Sequence, residues 1–511
     1  MKKILMAVFA VLMLAAWVAP AMADTTFYGT YRVRLFTTNN ANDYSNDTPR
    51  KTYTGTSANT QDAPVLAGGS FTDNNSWTDQ RFRLGVESKA SDNLRGFMQL
   101  QIGDSAALNG SHVWGTTATT VTYRQAYLSF NAGPVRIKAG RQVFGDAPDG
   151  GQSFRVSDDG GYYGLWDGGL VLVSVIDAFV LTTKAVDPLT INFAYAKLTE
   201  SSDAAAPDQE TSNSDFDSDV YILQASITPS DAIKGGAYLL YNRDKTTVTT
   251  TTGAAIGTRT PWWVGAGLDA KLDQINLKAH AAYKGGSWEN GCQSSGTGEG
   301  TCGLTAGRAD LDYSAYALDA DASINLGQAT VGVVVGLGSG DDSSQDTERN
   351  DFTAVAGAYG VQLGQRPAIF FDSGEVSNGG VTLDETYADG TKNTIDRSTL
   401  GNIRFAQIYG SFKASDELTV SGLAAMFWRS EDGEKTGATT STSWDSELGT
   451  EVDLTAVYKL YKELALVAQA AWFLPGEGIL TNKSQAGNHA ANSYATDDAV
   501  SEYFAKIQYD F

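Results

Sequence analysis

From 275 to 284 hydrophobic and polar positions alternate: Ile275, Leu277, Ala279, Ala281 and Tyr283 against Asn276, Lys278, His280 and Lys284. Successive side chains of a strand point to opposite faces, so this pattern predicts a strand with one apolar and one wet face. The same division sets Leu448, Val452, Leu454, Ala456 and Tyr458 against Gly449, Glu451, Asp453, Thr455 and Lys459, and Phe82, Leu84 and Val86 against Arg81, Arg83 and Glu87. Along the chain such segments number about eighteen, with sixteen the alternative, each near the roughly 9 to 11 residues that cross a bilayer when tilted. Short gaps fall at 89–93, 131–134, 185–188, 229–231, 273–274, 326–327, 414–416 and 461–463. Long gaps fall between them, at 38–75, 104–120, 142–168, 200–217, 244–260, 287–310, 339–400, 430–446 and 475–498. Short and long connections in alternation predict an all-β transmembrane antiparallel barrel with short periplasmic turns and long external loops.

The C-terminal segment ends as such a strand. Tyr503, Ala505, Ile507, Tyr509 and Phe511 share one face, and Glu502, Lys506, Gln508 and Asp510 the other. Tyr503, Ile507, Tyr509 and Phe511 also resemble the C-terminal signal read by the bacterial barrel-assembly machinery. At the other end, Lys2 and Lys3, an apolar run from Ile4 to Val18 and Ala21-Met22-Ala23 read as a secretory signal peptide over 1–23. The expected domain organisation is that peptide followed by one barrel over 24–511. These features place the protein in the outer membrane of a Gram-negative bacterium, with outer-membrane lipid as its surroundings.

Composition agrees with a β-rich, loop-rich chain: 54 Gly, many Thr, Ser, Asn and Tyr, and only 19% charged residues. The formal charge of −22, lowered to −24 by removal of Lys2 and Lys3, argues against nucleic acid as a partner. Cys292 and Cys302, the only cysteines, lie in a Gly-rich long loop of an exported chain and are expected to form a disulfide.

A charge on the lipid face is costly, so the strand charges are expected to face a water-filled interior. The early strands contribute Arg32, Arg34, Arg81, Arg83, Arg95, Arg124, Arg136, Lys138 and Arg141, a basic arc. Acidic inward positions come later, as Asp269, Asp319, Asp321, Glu451 and Asp453. Opposed charges of this kind tune pores, here toward small anionic or zwitterionic solutes. The 142–168 loop, with Asp146, Asp149, Arg155, Asp158, Asp159 and Trp166 among many glycines, is a candidate constriction if it folds inward.

Arg124-Gln125-Ala126-Tyr127-Leu128, Gly140-Arg141-Gln142, Gly449-Thr450-Glu451-Val452-Asp453-Leu454 and Phe473-Leu474-Pro475-Gly476 resemble the alginate-export-like family of outer-membrane porins. The resemblance implies an eighteen-stranded barrel, with Arg124 and Arg141 as pore-lining arginines and Glu451 and Asp453 as a late acidic pair. The later strands carry few arginines beyond Arg404 and Arg429, which favours a passive channel over polysaccharide export.

Other chemistry lacks its parts. Gly265-Ala266-Gly267-Leu268-Asp269-Ala270 matches a dinucleotide fingerprint only inside a strand with no helix after it. His112, His280 and His489 have no metal spacing, and hydrolase and haem motifs are missing. The reading is therefore a non-enzymatic channel for small hydrophilic solutes, without cofactor or metal, as a monomer or trimer. The alternatives are an exporter of an anionic polysaccharide, or a sheath around an electron-transfer partner.

Overall fold

A computed structural model describes residues 24–39, 75–103, 112–114, 120–145, 170–199, 217–245, 257–293, 308–341, 346–355, 367–371, 400–431, 446–478 and 499–511. In chain order the strands are β1 (Asp24–Asn39), β2 (Asn75–Ser91), β3 (Leu94–Gly103), β4 (His112–Val113), β5 (Thr120–Ala132), β6 (Val135–Gly145), β7 (Val173–Val186), β8 (Leu189–Thr199), β9 (Ser218–Ser230) and β10 (Ile233–Asp244). They continue as β11 (Trp262–Leu272), β12 (Ile275–Gln293), β13 (Arg308–Leu326), β14 (Ala329–Gly338), β15 (Glu348–Arg349), β16 (Ile403–Lys413), β17 (Leu418–Arg429), β18 (Glu447–Tyr461), β19 (Leu464–Pro475) and β20 (Val500–Asp510). Two of the 20, β4 and β15, are two-residue rungs; the remaining eighteen form the wall.

Every neighbouring pair in that wall is antiparallel, and β20 pairs with β1 to close it. Closure removes the sheet edges, which could not otherwise be satisfied in lipid. At the seam Gly29 and Phe511 exchange two backbone hydrogen bonds, 2.9 and 3.0 Å. The wall count is eighteen rather than sixteen, and the short and long connections fall where the alternation placed them. The signal peptide, the 142–168 constriction candidates Asp146, Asp149, Arg155, Asp158, Asp159 and Trp166, the side chain of Cys292, and Cys302 lie outside the described residues.

Burial alternates with the pleat. On β20, Tyr503, Ile507 and Tyr509 are exposed on the outer face with Phe511, while Glu502, Phe504, Lys506 and Gln508 are buried inside. β18 keeps this phase from Glu451 onward but breaks it at Leu448, which is fully buried and does not join the outer face of Val452 and Leu454. The cause is an extra residue in β18: Phe427 and Trp428 of β17 pair with Gly449 and Glu447, so Leu448 bulges out of register beside Gly449 at φ 139°. That backbone conformation suits glycine, and a Cβ there would lie 2.4 Å from the Leu474 carbonyl oxygen and 2.7 Å from the Phe473 ring. Gly449→Val is expected to destabilise the barrel by roughly 2 to 4 kcal/mol through combined strain and overpacking. The check is the urea midpoint of the folded form, read by its resistance to SDS unfolding without heating.

Candidate functional site

The interior has two unlike halves. On β20, β1, β2, β3, β5 and β6 the inner wall is basic. β1 sets Arg32 opposite Arg81 and Arg34 opposite Asp79 of β2, while β20 sets Lys506 opposite Arg34. Arg34 Nε donates to Asp79 Oδ1 at 2.8 Å, and Arg83 Nε to Gln101 Oε1 at 2.8 Å. A bulge where Gln99 and Leu100 meet Tyr123 and Gln125 turns both Arg124 and Gln125 inward, and both donate to Gln99 Oε1, at 2.8 and 3.1 Å. Nearer the short turns, Arg95 pairs with Glu87 at 3.3 Å, Arg136 Nε donates to Ser129 Oγ at 2.9 Å, and Lys138 lies 4.1 Å from the centre of the Tyr127 ring. The result is a run of cations along one wall from the long-loop end to the short-turn end. Arg32, Arg34, Arg81 and Arg83 are each no more than 1% exposed, so their charges are held away from bulk water and must be hydrogen-bonded or paired.

The other half is packed. Inward residues of β7 to β19 form an apolar core with Leu170–Leu172, Phe352, Val355 and Ala368–Phe371. Phe370 stacks on Phe427 with ring centroids 3.8 Å apart, and Phe371 meets Phe405 edge-on at 5.0 Å. Glu451 accepts the backbone N–H groups of Ile369 and Phe370 through its two oxygens, both at 2.7 Å, and Asp453 Oδ2 accepts that of Ala368 at 2.9 Å. On the facing wall, Trp263 Nε1 donates to the Thr353 carbonyl at 3.0 Å and Lys284 Nζ to Thr353 Oγ1 at 2.6 Å. The described pieces between β14 and β16, at 346–355 and 367–371, therefore lie inside the barrel and are fastened to both sides of it.

Two expectations need correction. Glu451 and Asp453 face the interior, but they anchor this inward segment and do not line water; both are essentially unexposed. Arg141 is not a pore residue: on β6 the even positions Arg136, Lys138 and Gln142 point inward, and Arg141 lies outside, 2.8 Å from Asp177 and over the outward Tyr123 ring. The strict alternation from Arg136 already puts an odd position outside; both the grouping of the early-strand cations and the resemblance misplaced it. Of the remaining acidic positions, Asp269 and Asp321 flank Lys278 on one inner rung, and Asp321 accepts from Tyr409 Oη at 2.8 Å. Asp319 is buried opposite His280, whose Nε2 is 3.1 Å from Tyr238 Oη.

Sequence reasoning missed Lys506 and Asp79 as members of the basic wall, and the inward segment altogether. Its signal is visible: Ala368-Ile369-Phe370-Phe371 is an apolar run inside a long gap. Among the described residues no group of three or more His, Cys, Asp or Glu is placed to hold a metal.

Just beyond β14, Asp341 is buried 2.7 Å from Arg349 Nη1. Burial pushes its carboxyl up to about 6, against the opposing pull of Arg349. A carboxyl raised above its unfolded value contributes stability that is complete below about pH 4 and is lost as pH rises through about 6. Acidification from pH 7 to 5 is thus expected to tighten this segment, where Phe352 N–H donates to Ser339 O at 3.0 Å. Hydrogen exchange at Phe352, corrected for intrinsic rate, should slow over that range, and Asp341→Asn should abolish the change.

No protein-family model matches the chain, and no curated protein matches it. Among solved structures it is similar to Pseudomonas aeruginosa OccK9 (OpdG), with a TM-score of 0.49 and 13% identity over 96% of this chain and 98% of that one. It is also similar to the outer membrane protein opdK of Pseudomonas aeruginosa, with TM-score 0.48, 10% identity and 96% and 98% coverage. Acinetobacter baumannii OccAB2 gives 0.46 and 12% over the same shares.

Proposed function

We propose that the chain is an outer-membrane porin, a passive channel for small hydrophilic solutes that favours anionic or zwitterionic ones. The observation that carries this reading is the division of the interior: a packed apolar half, and a basic wall on the opposite strands. A path through such a barrel runs beside the exposed part of that wall, at Arg95, while the buried Arg32, Arg34, Arg81 and Arg83 add their field from behind it and raise the local concentration of anions. A guanidinium presents paired donors that match a carboxylate, which adds recognition to simple attraction.

Export of an anionic polysaccharide, which resemblance to the alginate-export-like family would imply, draws on the same basic wall. A long polymer, however, needs a continuous wide track, and the packed half narrows the lumen. Short solutes fit the arrangement better. Proteoliposome swelling separates the two: small carboxylates should enter faster than neutral solutes of equal size. Equal rates would remove the selectivity, and no swelling with a folded barrel would remove the channel.

A further inference from the structure

The outer face carries one feature that a lipid-facing surface does not need. A single cross-strand row runs from Phe27, near the short-turn end of β1, through Ala126 to Arg141, Asp177, Lys197, Asp219 and Arg243, the last at the long-loop end of β10. Because strands are tilted, the row climbs the barrel, and Arg141 is its middle member. Arg141 and Asp177 each stand four residues inside the long-loop ends of their strands. They are paired at 2.8 Å, yet the Asp177 side chain is 58% exposed on the outer surface. Higher in the row the charges are closer to the rim, and Asp219 is largely covered, with Lys197, Arg243 and the Tyr195 hydroxyl around it. On β18, β19 and β20 the outward positions include Val452, Leu454, Ala470 and Ile507, with no charge at comparable depth.

An exposed ion pair within the hydrocarbon layer is costly, and most so away from the interfaces. A protein surface that supplies matching charges removes that cost. We infer that the β6–β7 face is covered by a second copy of this chain, in a dimer whose two-fold axis lies along the membrane normal between these strands. Rotation about the normal preserves depth, so Arg141 of each copy comes within about one strand spacing of the level of Asp177 of the other, twice over. Such a contact is self-complementary and closes on itself. The exposed Tyr123 and Phe179 beside the pair supply the flat aromatic area around it.

The test uses the full chain in native membranes and in lipid nanodiscs. Phe179→Cys places a thiol next to the axis, and Val333→Cys on the outer face of β14 is the control. The expected result is an oxidised species of twice the chain mass from Phe179→Cys and none above background from Val333→Cys. Adding Asp177→Arg, which opposes like charges across the axis, should lower the cross-linked fraction by about tenfold. The swap Arg141→Asp with Asp177→Arg should restore it, with the heat-modifiable mobility of all variants showing that each barrel is folded, so that loss of the cross-link in Asp177→Arg reports on association. Native mass spectrometry showing only single chains, a cross-link to a different protein, or a swap that fails to restore pairing would overturn the dimer.

Discussion

Glu451→Ala is expected to release the 367–371 segment from the wall and increase the open-channel conductance. The two carboxylate oxygens hold the Ile369 and Phe370 N–H groups at 2.7 Å in a fully buried setting. Hydrogen bonds to a charged group contribute about 1.5 to 3 kcal/mol each, so their joint loss disfavours docking by on the order of 3 kcal/mol or more. That shifts the docked-to-released ratio roughly a hundredfold. The stack of Phe370 on Phe427 remains, worth only about 0.5 to 1.5 kcal/mol beyond its burial. Glu451→Gln keeps one acceptor and should fall between. Single-channel recording should show larger or more frequent open levels, accompanied by faster proteolysis within 339–402. Wild-type conductance and proteolysis in a folded Glu451→Ala barrel would mean that the segment does not restrict the path.

The second large effect belongs to the basic wall. Removing Arg95 and Arg136 together takes two cations from the inner wall near the short turns, where the Arg95 side chain is 40% exposed and Arg136 is half-buried. A small carboxylate that blocks the wild-type channel should then lose roughly tenfold or more in affinity, about 1.4 kcal/mol for each factor of ten. Reversal potential should move toward cations. Both changes should be greatest at low salt, because the screening length falls from roughly 30 Å at 0.01 M to about 3 Å at 1 M. Arg141→Ala is the internal control: its side chain lies outside, so it should leave reversal potential and carboxylate block unchanged.

The barrel was legible because its physics is local. Alternation over a dozen residues tells inside from outside, and β12 and β20 carry their faces as written in the sequence. Lys506 belonged to a face already read as wet; only the closing register shows that it stands beside Arg34. Non-local features were not legible. Leu448 and Arg124 are each the extra residue of a bulge in their own strand, seen only against the register of the neighbouring β17 and β3. The Glu451 and Asp453 carboxylates looked like pore charges because nothing in their own strand indicates that a segment some eighty residues earlier folds back onto them. Arg141 is different in kind. There the alternation within β6 carried the correct side, but Arg141 was grouped with the inward cations by its charge at the strand end, and the resemblance repeated that grouping.

The most direct measurement is the zero-current potential of the purified, refolded chain in a planar bilayer under a KCl gradient. A channel running beside the basic wall should give steady ion-conducting levels with chloride preferred over potassium, a preference that weakens as salt rises on both sides. A folded barrel that does not conduct, or one that prefers potassium at low salt, would contradict it.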